Sequence, residues 1–245
     1  MNRAAAAGVA VVLLAGCTPN QTAPAQAPED PYQETTRWIP NASIDLMSPE
    51  GTFIRATAES WSRAWTAKST GLDALKERGY PGFDHAFNDS FGPRIKDVGG
   101  YPDQISVGTE YNEVVALRHD GDRFIADVCL YTSQTATKQK DGQFYSRGSM
   151  PYGNGKHYVF GPDPKLPADQ QHLPSVRQKG PAKAPSDNVF GTWVLFEMGT
   201  PDDVTLHGCM KLAPGTPEGL PDPYVRADPP STLPPDPGWP EGSKA

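Results

Sequence analysis

The stretch SPEGTFIRATAESWSRAW, residues 48–65, decides how the centre of this chain folds. It opens on serine and proline, which favour the first positions of a helix, and apolar residues then recur at about the helical period of 3.6. Phe53, Trp61 and Trp65 lie close to one face of the predicted helix, and charged residues occupy the others. The pattern predicts an amphipathic helix whose aromatic face belongs to a core, with the wall of a pocket as the alternative.

A short second helix is predicted over 71–78, where Gly79 and Pro81 end the helical pattern. The sequence then changes period. Residues 105–117 and 124–132 are β-branched and aromatic, and an Asp-Gly pair lies between them. That pair is typical of the tight turn in a β-hairpin. The centre of the chain is therefore predicted to be helices followed by antiparallel strands, an α+β fold.

A second hairpin is predicted from 189–198 and 204–212, around a turn at 199–202. Between the two hairpins, residues 133–188 form a long insert that is polar and rich in Gly and Pro, with a further strand near Tyr158. A connection of this length without regular structure is uncommon inside a domain, so the insert is predicted to be functional or loosely ordered.

Both ends of the chain are rich in proline. Residues 17–40 combine it with Thr, Gln, Ala and Glu and can bury little apolar surface, so they are predicted to be an extended tether. Residues 213–245, with Trp239 as their largest apolar side chain, are predicted to be a disordered or loosely docked tail. A proline-rich ligand for an aromatic groove is the alternative for the tail. The folded domain is then expected over 41–212.

The first seventeen residues, MNRAAAAGVAVVLLAGC, combine a positive charge, a short apolar run and small residues before Cys17. The run is too short to span a bilayer, so residues 1–16 are predicted to be a cleaved export signal. The ending Leu14-Ala15-Gly16-Cys17 resembles the lipobox of bacterial lipoproteins. The resemblance implies that Cys17 is diacylated and anchors the protein to the extracytoplasmic face of the cell membrane. The alternative is an ordinary secretory signal with a coincidental cysteine.

Composition limits the partners of the chain. The formal net charge is −7, and an acidic surface repels phosphate, so nucleic-acid binding is not expected. The sequence holds no G-x-G-x-x-G or Walker motif and no G-x-S-x-G nucleophile motif, so no cofactor is expected. The predicted partners are the membrane, through the lipid anchor, and an envelope protein or a small apolar ligand.

Cys129 and Cys209 remain once Cys17 is lipidated, and they form an even pair in a protein exported to an oxidising space. A disulfide is the expected state, since two cysteines without a histidine at ligand spacing make a poor zinc site. A simple four-strand meander, however, would put the two cysteines on strands that flank a third, beyond bonding distance. Either the strand order differs, or one cysteine lies at a strand end, or the pair is not bonded.

Helices followed by antiparallel strands resemble the cone-shaped NTF2-like fold, in which a curved sheet wraps around helices and encloses a pocket. The residues that carry the resemblance are AESWSRAW, 58–65, and Tyr80-Pro81-Gly82-Phe83, which look like exported NTF2-like lipoproteins of high-GC Gram-positive bacteria. Enzymes on that fold use an acid or a histidine at the base of the cone. The candidates that the resemblance implies here are Asp84, His85, Asp89, Asp127 and His207.

Asp127 and His207 are the pair of most interest, because each lies two residues before a cysteine of the expected disulfide. They would form a polar cluster beside the sulfur bridge, although a solvated outer face of the sheet explains them equally well. The expected function is a membrane-anchored, non-catalytic binding module of the cell envelope. The alternatives are an NTF2-like enzyme that uses Asp127 and His207 as acid and base, and a surface exclusion or immunity lipoprotein of a mobile element.

Overall fold

The structure, a computed structural model, describes residues 30–42, 44–87 and 92–242. The predicted export signal, Cys17, most of the predicted tether and Asp89 lie outside the described residues. The elements of the described chain are β1 (Tyr32–Trp38), α1 (Pro49–Ala64), α2 (Leu72–Arg78), α3 (Phe83–Phe87), a 3₁₀ helix (Gly92–Asp97), β2 (Ser106–Asp120), β3 (Arg123–Tyr131), β4 (Thr135–Lys138), β5 (Phe144–Ser146), β6 (Asn154–Pro162), a second 3₁₀ helix (Ala168–Gln170), β7 (Trp193–Gly199), α4 (Asp203–Gly208) and β8 (Tyr224–Arg226).

The strands form one sheet in the order β7-β6-β3-β2-β4-β5-β8, and β1 pairs with β2 beside this path. Neighbouring strands are antiparallel, except that β1 runs parallel to β2 from Tyr32 opposite Ser106 to Trp38 opposite Asn112. The prediction of an α+β fold with a large antiparallel sheet is confirmed. The order of elements differs from the expected one, because the sheet takes a strand that precedes the helices.

The first predicted hairpin forms between β2 and β3. Asp120 lies opposite Arg123, so the turn consists of two residues, and Gly121 adopts a φ of 62° there. A hairpin turn of this length requires positive φ, which glycine adopts without strain. The Asp-Gly signal therefore located the hairpin correctly, although the two turn residues are Gly121 and Asp122 and Asp120 ends β2.

Helix α1 begins where the sequence indicates. The Ser48 side chain accepts a hydrogen bond from the Gly51 backbone amide at 3.1 Å, and the proline that follows occupies the first turn. Phe53 is fully buried and stacks on Phe160 of β6 with a centroid distance of 4.8 Å. Trp193 of β7 lies 6.2 Å from the same ring. These contacts place the main core between α1 and the sheet.

The second predicted hairpin is wrong in its second arm. Residues 203–208 form helix α4, because Asp202 caps that turn: its carboxylate accepts a hydrogen bond from the Thr205 amide at 2.7 Å. Cys209 therefore follows a helix instead of lying on a strand, and it is bonded to Cys129 of β3 with a Cα–Cα distance of 5.2 Å. The predicted disulfide is confirmed, and the geometric objection to it disappears with the fourth strand.

The prediction of disordered proline-rich extensions is wrong for the described residues. The predicted tether to residue 40 contains β1, and the predicted tail over 213–245 contains β8 and the fully buried Trp239. Proline lacks an N–H donor, but the carbonyls of such segments still accept hydrogen bonds. The Thr35 hydroxyl donates to the Leu233 carbonyl at 2.7 Å, which ties the tail to β1.

The segment 133–188 is less irregular than predicted, because β4, β5 and β6 all lie within it. Its later part packs against the beginning of α1. The Arg177 amide donates to the Met47 carbonyl at 2.9 Å, and Arg55 of α1 donates to the Gln178 carbonyl at 2.8 Å. These hydrogen bonds place the segment against the core, so its description as loosely ordered is wrong.

Candidate functional site

A cavity of about 270 Å³ lies between the last turns of α1 and the strands β1, β2 and β6. Two of its lining residues are glutamates, Glu34 and Glu110, which are only 6% and 4% exposed. Lys156 contributes an ammonium group from β6. Glutamate is rarely buried unless it is paired, so two buried glutamates in one cavity are an informative observation.

The register of β1 and β2 explains why both glutamates reach the cavity. Tyr32 lies opposite Ser106 and Thr36 lies opposite Glu110, so the register of the two strands is continuous over this stretch. Side chains alternate along a strand, and therefore Tyr32, Glu34 and Glu110 share one face of the sheet. That face is turned towards α1, and the cavity is closed by Trp61 of α1 and by Trp65, which caps the end of that helix.

Few neighbouring groups compensate a negative charge on the Glu34 carboxyl. The Ser106 hydroxyl donates a hydrogen bond to its Oε1, and the charge that acts on it is that of Glu110. Burial, with the like charge of Glu110 second, raises the pKa of Glu34 from 4.5 to about 8. The carboxyl is therefore mainly protonated near neutral pH.

Glu110 is better supported by polar neighbours. Asn112 Nδ2 donates to its Oε1 at 3.1 Å, and the Ser62 hydroxyl of α1 donates to Oε2 at 3.5 Å. Burial still raises the pKa of Glu110 from 4.5 to about 7, although the Asn112 hydrogen bond and Lys156 oppose the shift. The pKa of Lys156 is lowered by its own burial. The carboxyl pair can thus bind or release a proton close to neutral pH.

An aromatic wall faces the carboxyl pair. The Trp61 ring stacks on Phe87 with centroids 5.6 Å apart, which fixes its plane, and it meets Trp65 edge to face at 6.0 Å. Trp65 in turn lies 6.0 Å from Tyr101. Trp65 is 36% exposed and Tyr101 46% exposed, so these two rings form the mouth of the cavity.

Two further polar groups in the cavity lack a regular hydrogen bond within the described ranges. The Tyr32 hydroxyl is buried and forms no hydrogen bond of regular geometry among the described residues, with the Thr36 side chain as its polar neighbour. Lys156 interacts electrostatically with Glu110 but forms no hydrogen bond or close ion pair within the part of the chain that the structure describes. Buried polar groups are normally satisfied, so the Tyr32 hydroxyl is available to a bound molecule, and so is the half-buried ammonium group of Lys156.

A second cavity of about 280 Å³ adjoins the first. The two share Trp61, Trp65 and Lys156, and the second is completed by residues such as Met198 and Thr200. The two tryptophans therefore stand between two open spaces, and a ligand that enters one of them can contact both rings.

The structure divides the residues that the sequence suggested for a pocket. Trp61 and Trp65 line the cavity, whereas Phe53 belongs to the core. The helical spacing of the two tryptophans was the sequence signal that placed them on one face. Phe53 shares that face but does not line the cavity, because it lies two turns earlier, where α1 packs directly on β6 and β7.

Asp127 and His207 have different partners. Asp127 lies 2.6 Å from His157 Nδ1 and 3.7 Å from Arg118. His207 is exposed, and its Nδ1 lies 2.6 Å from the Asp203 carbonyl within α4. The polar cluster expected beside the disulfide therefore contains Asp127 and His157, and His207 takes no part in that hydrogen bond.

Two other sequence candidates lie on α3. His85 Nε2 is 3.7 Å from Asp163, a residue of the loop after β6, and Asp84 is exposed beside it. Neither lines the cavity that contains the carboxyl pair.

Sequence reasoning missed both glutamates of the cavity. Glu34 lay in the segment predicted to be a tether, and Glu110 lay in a strand whose alternate residues were not assigned to faces. The signal that could have found Glu110 is its position among β-branched and aromatic residues, where a charge is unusual on a buried face. Glu34 became visible only with the parallel pairing of β1 and β2.

Comparison with known proteins gives no match: no family model, no curated protein and no solved structure is significantly similar to the chain. Within the described residues, no group of three or more His, Cys, Asp or Glu side chains is arranged to hold a metal ion. Of the helices in the described ranges, none has the length and apolar character needed to cross a membrane.

Proposed function

We propose that this protein is a membrane-anchored, extracytoplasmic lipoprotein that acts as a non-catalytic binding module of the cell envelope and holds a small ligand in the cavity between α1 and the sheet. The single observation that carries the proposal is the cavity itself, with an aromatic wall on one side and buried polar groups on the other. Ligand sites combine these features: apolar rings supply contact area, and a few polar atoms fix orientation.

The sequence supports the cellular location. Leu14-Ala15-Gly16-Cys17 has the form of a lipobox, and the disulfide between Cys129 and Cys209 suits an oxidising compartment outside the cytoplasm. Two acyl chains attach a protein stably to a membrane, whereas a single acyl chain gives only marginal binding.

The arrangement of α1 against the sheet is compatible with an NTF2-like cone, which is part of the proposal. Such a cone would enclose a pocket between its helices and its sheet, and the aromatic and carboxyl-lined cavity has that position. The strand β1 ahead of the helices and the docked carboxy-terminal segment would be additions to the cone.

A second candidate function is acid–base catalysis in the same cavity. It is favoured by Glu34 and Glu110, because two interacting carboxyls whose pKa values lie near neutrality can take up and release a proton. The pair Asp127 and His207 no longer serves this alternative, since their hydrogen bonds go to different partners.

Native mass spectrometry of the protein extracted from its own membrane tests the proposal. We expect a small molecule to be retained by the wild type and lost from Trp61→Ala/Trp65→Ala, while Trp65→Phe, which keeps an aromatic ring, retains it. A retained molecule that is released chemically unchanged after prolonged incubation supports a binding module. A molecule that the wild type converts, and that Glu110→Gln leaves intact, would establish the enzyme instead.

A further inference from the structure

Glu34 is a buried carboxyl without a cation. The Ser106 hydroxyl is the hydrogen-bond donor to it, and no Lys, Arg or His forms an ion pair with it within the described ranges. Its charged neighbour is a second carboxyl, Glu110. A buried carboxylate is strongly disfavoured unless a positive group or several donors compensate it. The Arg63 guanidinium lies 5.1 Å over the ring of Tyr32, which precedes Glu34 on this face, but it is not among the charges that act on Glu34. The site therefore has a place beside Glu34 for one positive charge.

Lys156 does not fill this place. It lies on β6, and β3 and β2 stand between β6 and β1, so three strand spacings, roughly 14 Å, separate the two strands. The two residues are also offset along the strands, because Lys156 is in line with Val114 of β2 whereas Glu34 lies opposite Gly108. Its electrostatic interaction is with Glu110 alone. The cavity thus has a basic end at β6 and an acidic end at β1, where no described cation pairs with Glu34.

The other walls suit a cation with an apolar body. The faces of Trp61 and Trp65 attract positive charge through their π electrons, and they add contact area for methyl and methylene groups. Tyr101 stands at the mouth, where a ligand would enter. The buried Tyr32 hydroxyl, whose polar neighbour Thr36 forms no regular hydrogen bond with it, offers one hydrogen bond to a polar substituent. Pockets commonly measure about 300–1,000 Å³, so a cavity of about 270 Å³ selects a small molecule.

From this geometry we infer that the cavity recognises a small ammonium compound, with its cationic nitrogen beside Glu34 and Glu110 and its apolar body against Trp61 and Trp65. The inference rests on the proposed function, because it takes the cavity as the binding site, and it adds the chemical class of the ligand.

Binding of a cation at this place is coupled to the protonation of the pair. A proton held by Glu34 or Glu110 leaves to solvent when the ammonium group enters, so affinity rises with pH until both carboxyls are ionised. The other ionisable groups that act on the pair or face it from neighbouring elements are Tyr32, Glu59, Arg63, Lys156 and Tyr158.

Isothermal titration of the full lipidated chain in detergent micelles tests the inference with two ligands. Choline is a quaternary ammonium that cannot lose a proton, so any pH dependence belongs to the protein. Its neutral isostere, with carbon in place of nitrogen, is the alcohol 3,3-dimethyl-1-butanol, called dimethylbutanol below. We expect choline to bind about tenfold more tightly at about pH 8 than at about pH 6, with release of a proton, and dimethylbutanol to bind at least about tenfold more weakly at the higher pH with no pH dependence.

The variant Glu34→Gln keeps the shape of the side chain and an acceptor for Ser106 but cannot ionise. It should lose the preference for choline and the proton release, and Glu110→Gln should weaken both. Glu218→Gln, on an exposed loop, is the matched control and should bind like the wild type. Equal affinity for choline and dimethylbutanol, or full choline binding by Glu34→Gln, would overturn the inference.

The two proposals fail separately. If the wild type retains a small molecule from its membrane in the cavity but does not distinguish choline from dimethylbutanol, the binding module stands and the ammonium class is wrong. If choline binds to the wild type and equally to Trp61→Ala/Trp65→Ala, the cavity is not the site, and both proposals are wrong.

Discussion

The indole N–H of Trp239 donates a hydrogen bond to Glu59 Oε2 at 2.7 Å, which joins two residues 180 positions apart in the sequence. Glu59 lies on α1 and also accepts from Trp38 Nε1 at 2.8 Å and from the Tyr80 hydroxyl at 2.6 Å. The Arg55 guanidinium lies 4.3 Å above the Trp239 ring. One buried carboxylate therefore ties the carboxy-terminal segment, β1 and α1 into the same core.

The first prediction concerns this attachment. Trp239→Ala removes a fully buried indole and a donor to Glu59, so it should lower the free energy of unfolding by about 3–5 kcal/mol. Urea denaturation measures the change. Leu233→Ala is the control in the same segment, because its side chain is 39% exposed and should cost far less. Equal stability of the two variants would mean that the segment does not dock as described.

The second prediction concerns the disulfide, which closes a loop between residues 80 positions apart. Cys129→Ala/Cys209→Ala should lower the free energy of unfolding by about 2–5 kcal/mol, because the unfolded chain regains the freedom that the bond removes. Denaturation of this variant beside the wild type gives the cost. Thiol titration of unfolded, unreduced protein that lacks Cys17 should find no free thiol, and two reactive thiols would contradict the bond.

The third prediction is a pH dependence of stability that depends on Glu34 and Glu110. Their pKa values are raised in the folded chain above the unfolded value of 4.5, to about 8 and about 7. The stabilisation from holding these protons is therefore complete below about pH 4.5 and is lost as the pH rises towards about 8.

Glu34→Gln/Glu110→Gln should not show this loss, because neither glutamine titrates. Relative to that variant, the wild type should become less stable in denaturant titrations between about pH 5 and about pH 8. Glu218→Gln should follow the wild type. Parallel curves for the wild type and the double variant would show that the pair ionises normally.

The fourth prediction is lipidation of Cys17, which lies outside the described residues. The intact mass of membrane-purified protein should exceed that of chain 17–245 by the mass of its acyl groups. Cys17→Ala should release the protein or leave it unprocessed. A processed Cys17→Ala chain that stays fully in the membrane would contradict the lipobox.

The sequence predicted those elements whose signals are local. Ser48 and the aromatic spacing after it gave α1, and the Asp-Gly pair gave the β2–β3 turn. The same local logic failed for 204–212, because its β-branched residues suggested a strand while the cap at Asp202 started a helix.

Long-range pairing was beyond the reach of the sequence. Prolines around β1 and Trp239 suggested disorder, since the carbonyls that accept hydrogen bonds from Thr35 and Arg37 cannot be recognised without the fold. The candidate site was predicted only in part for the same reason. Trp61 and Trp65 were visible from their spacing, but Glu34 acquires its importance only from its position beside β2.

The most direct test of the central claim, that the cavity between α1 and the sheet is the binding site, is fluorine NMR of the full chain labelled with fluorotryptophan. Its five tryptophans report on separate places, because Trp61 and Trp65 line the cavity whereas Trp38, Trp193 and Trp239 are buried in the core. Single Trp→Phe variants assign the resonances. Titration with a small-molecule extract of the producing cell's envelope should shift the signals of Trp61 and Trp65 and leave the other three unchanged. Shifts confined to the core tryptophans, or no shift at Trp61 and Trp65 when a molecule is bound, would contradict the account.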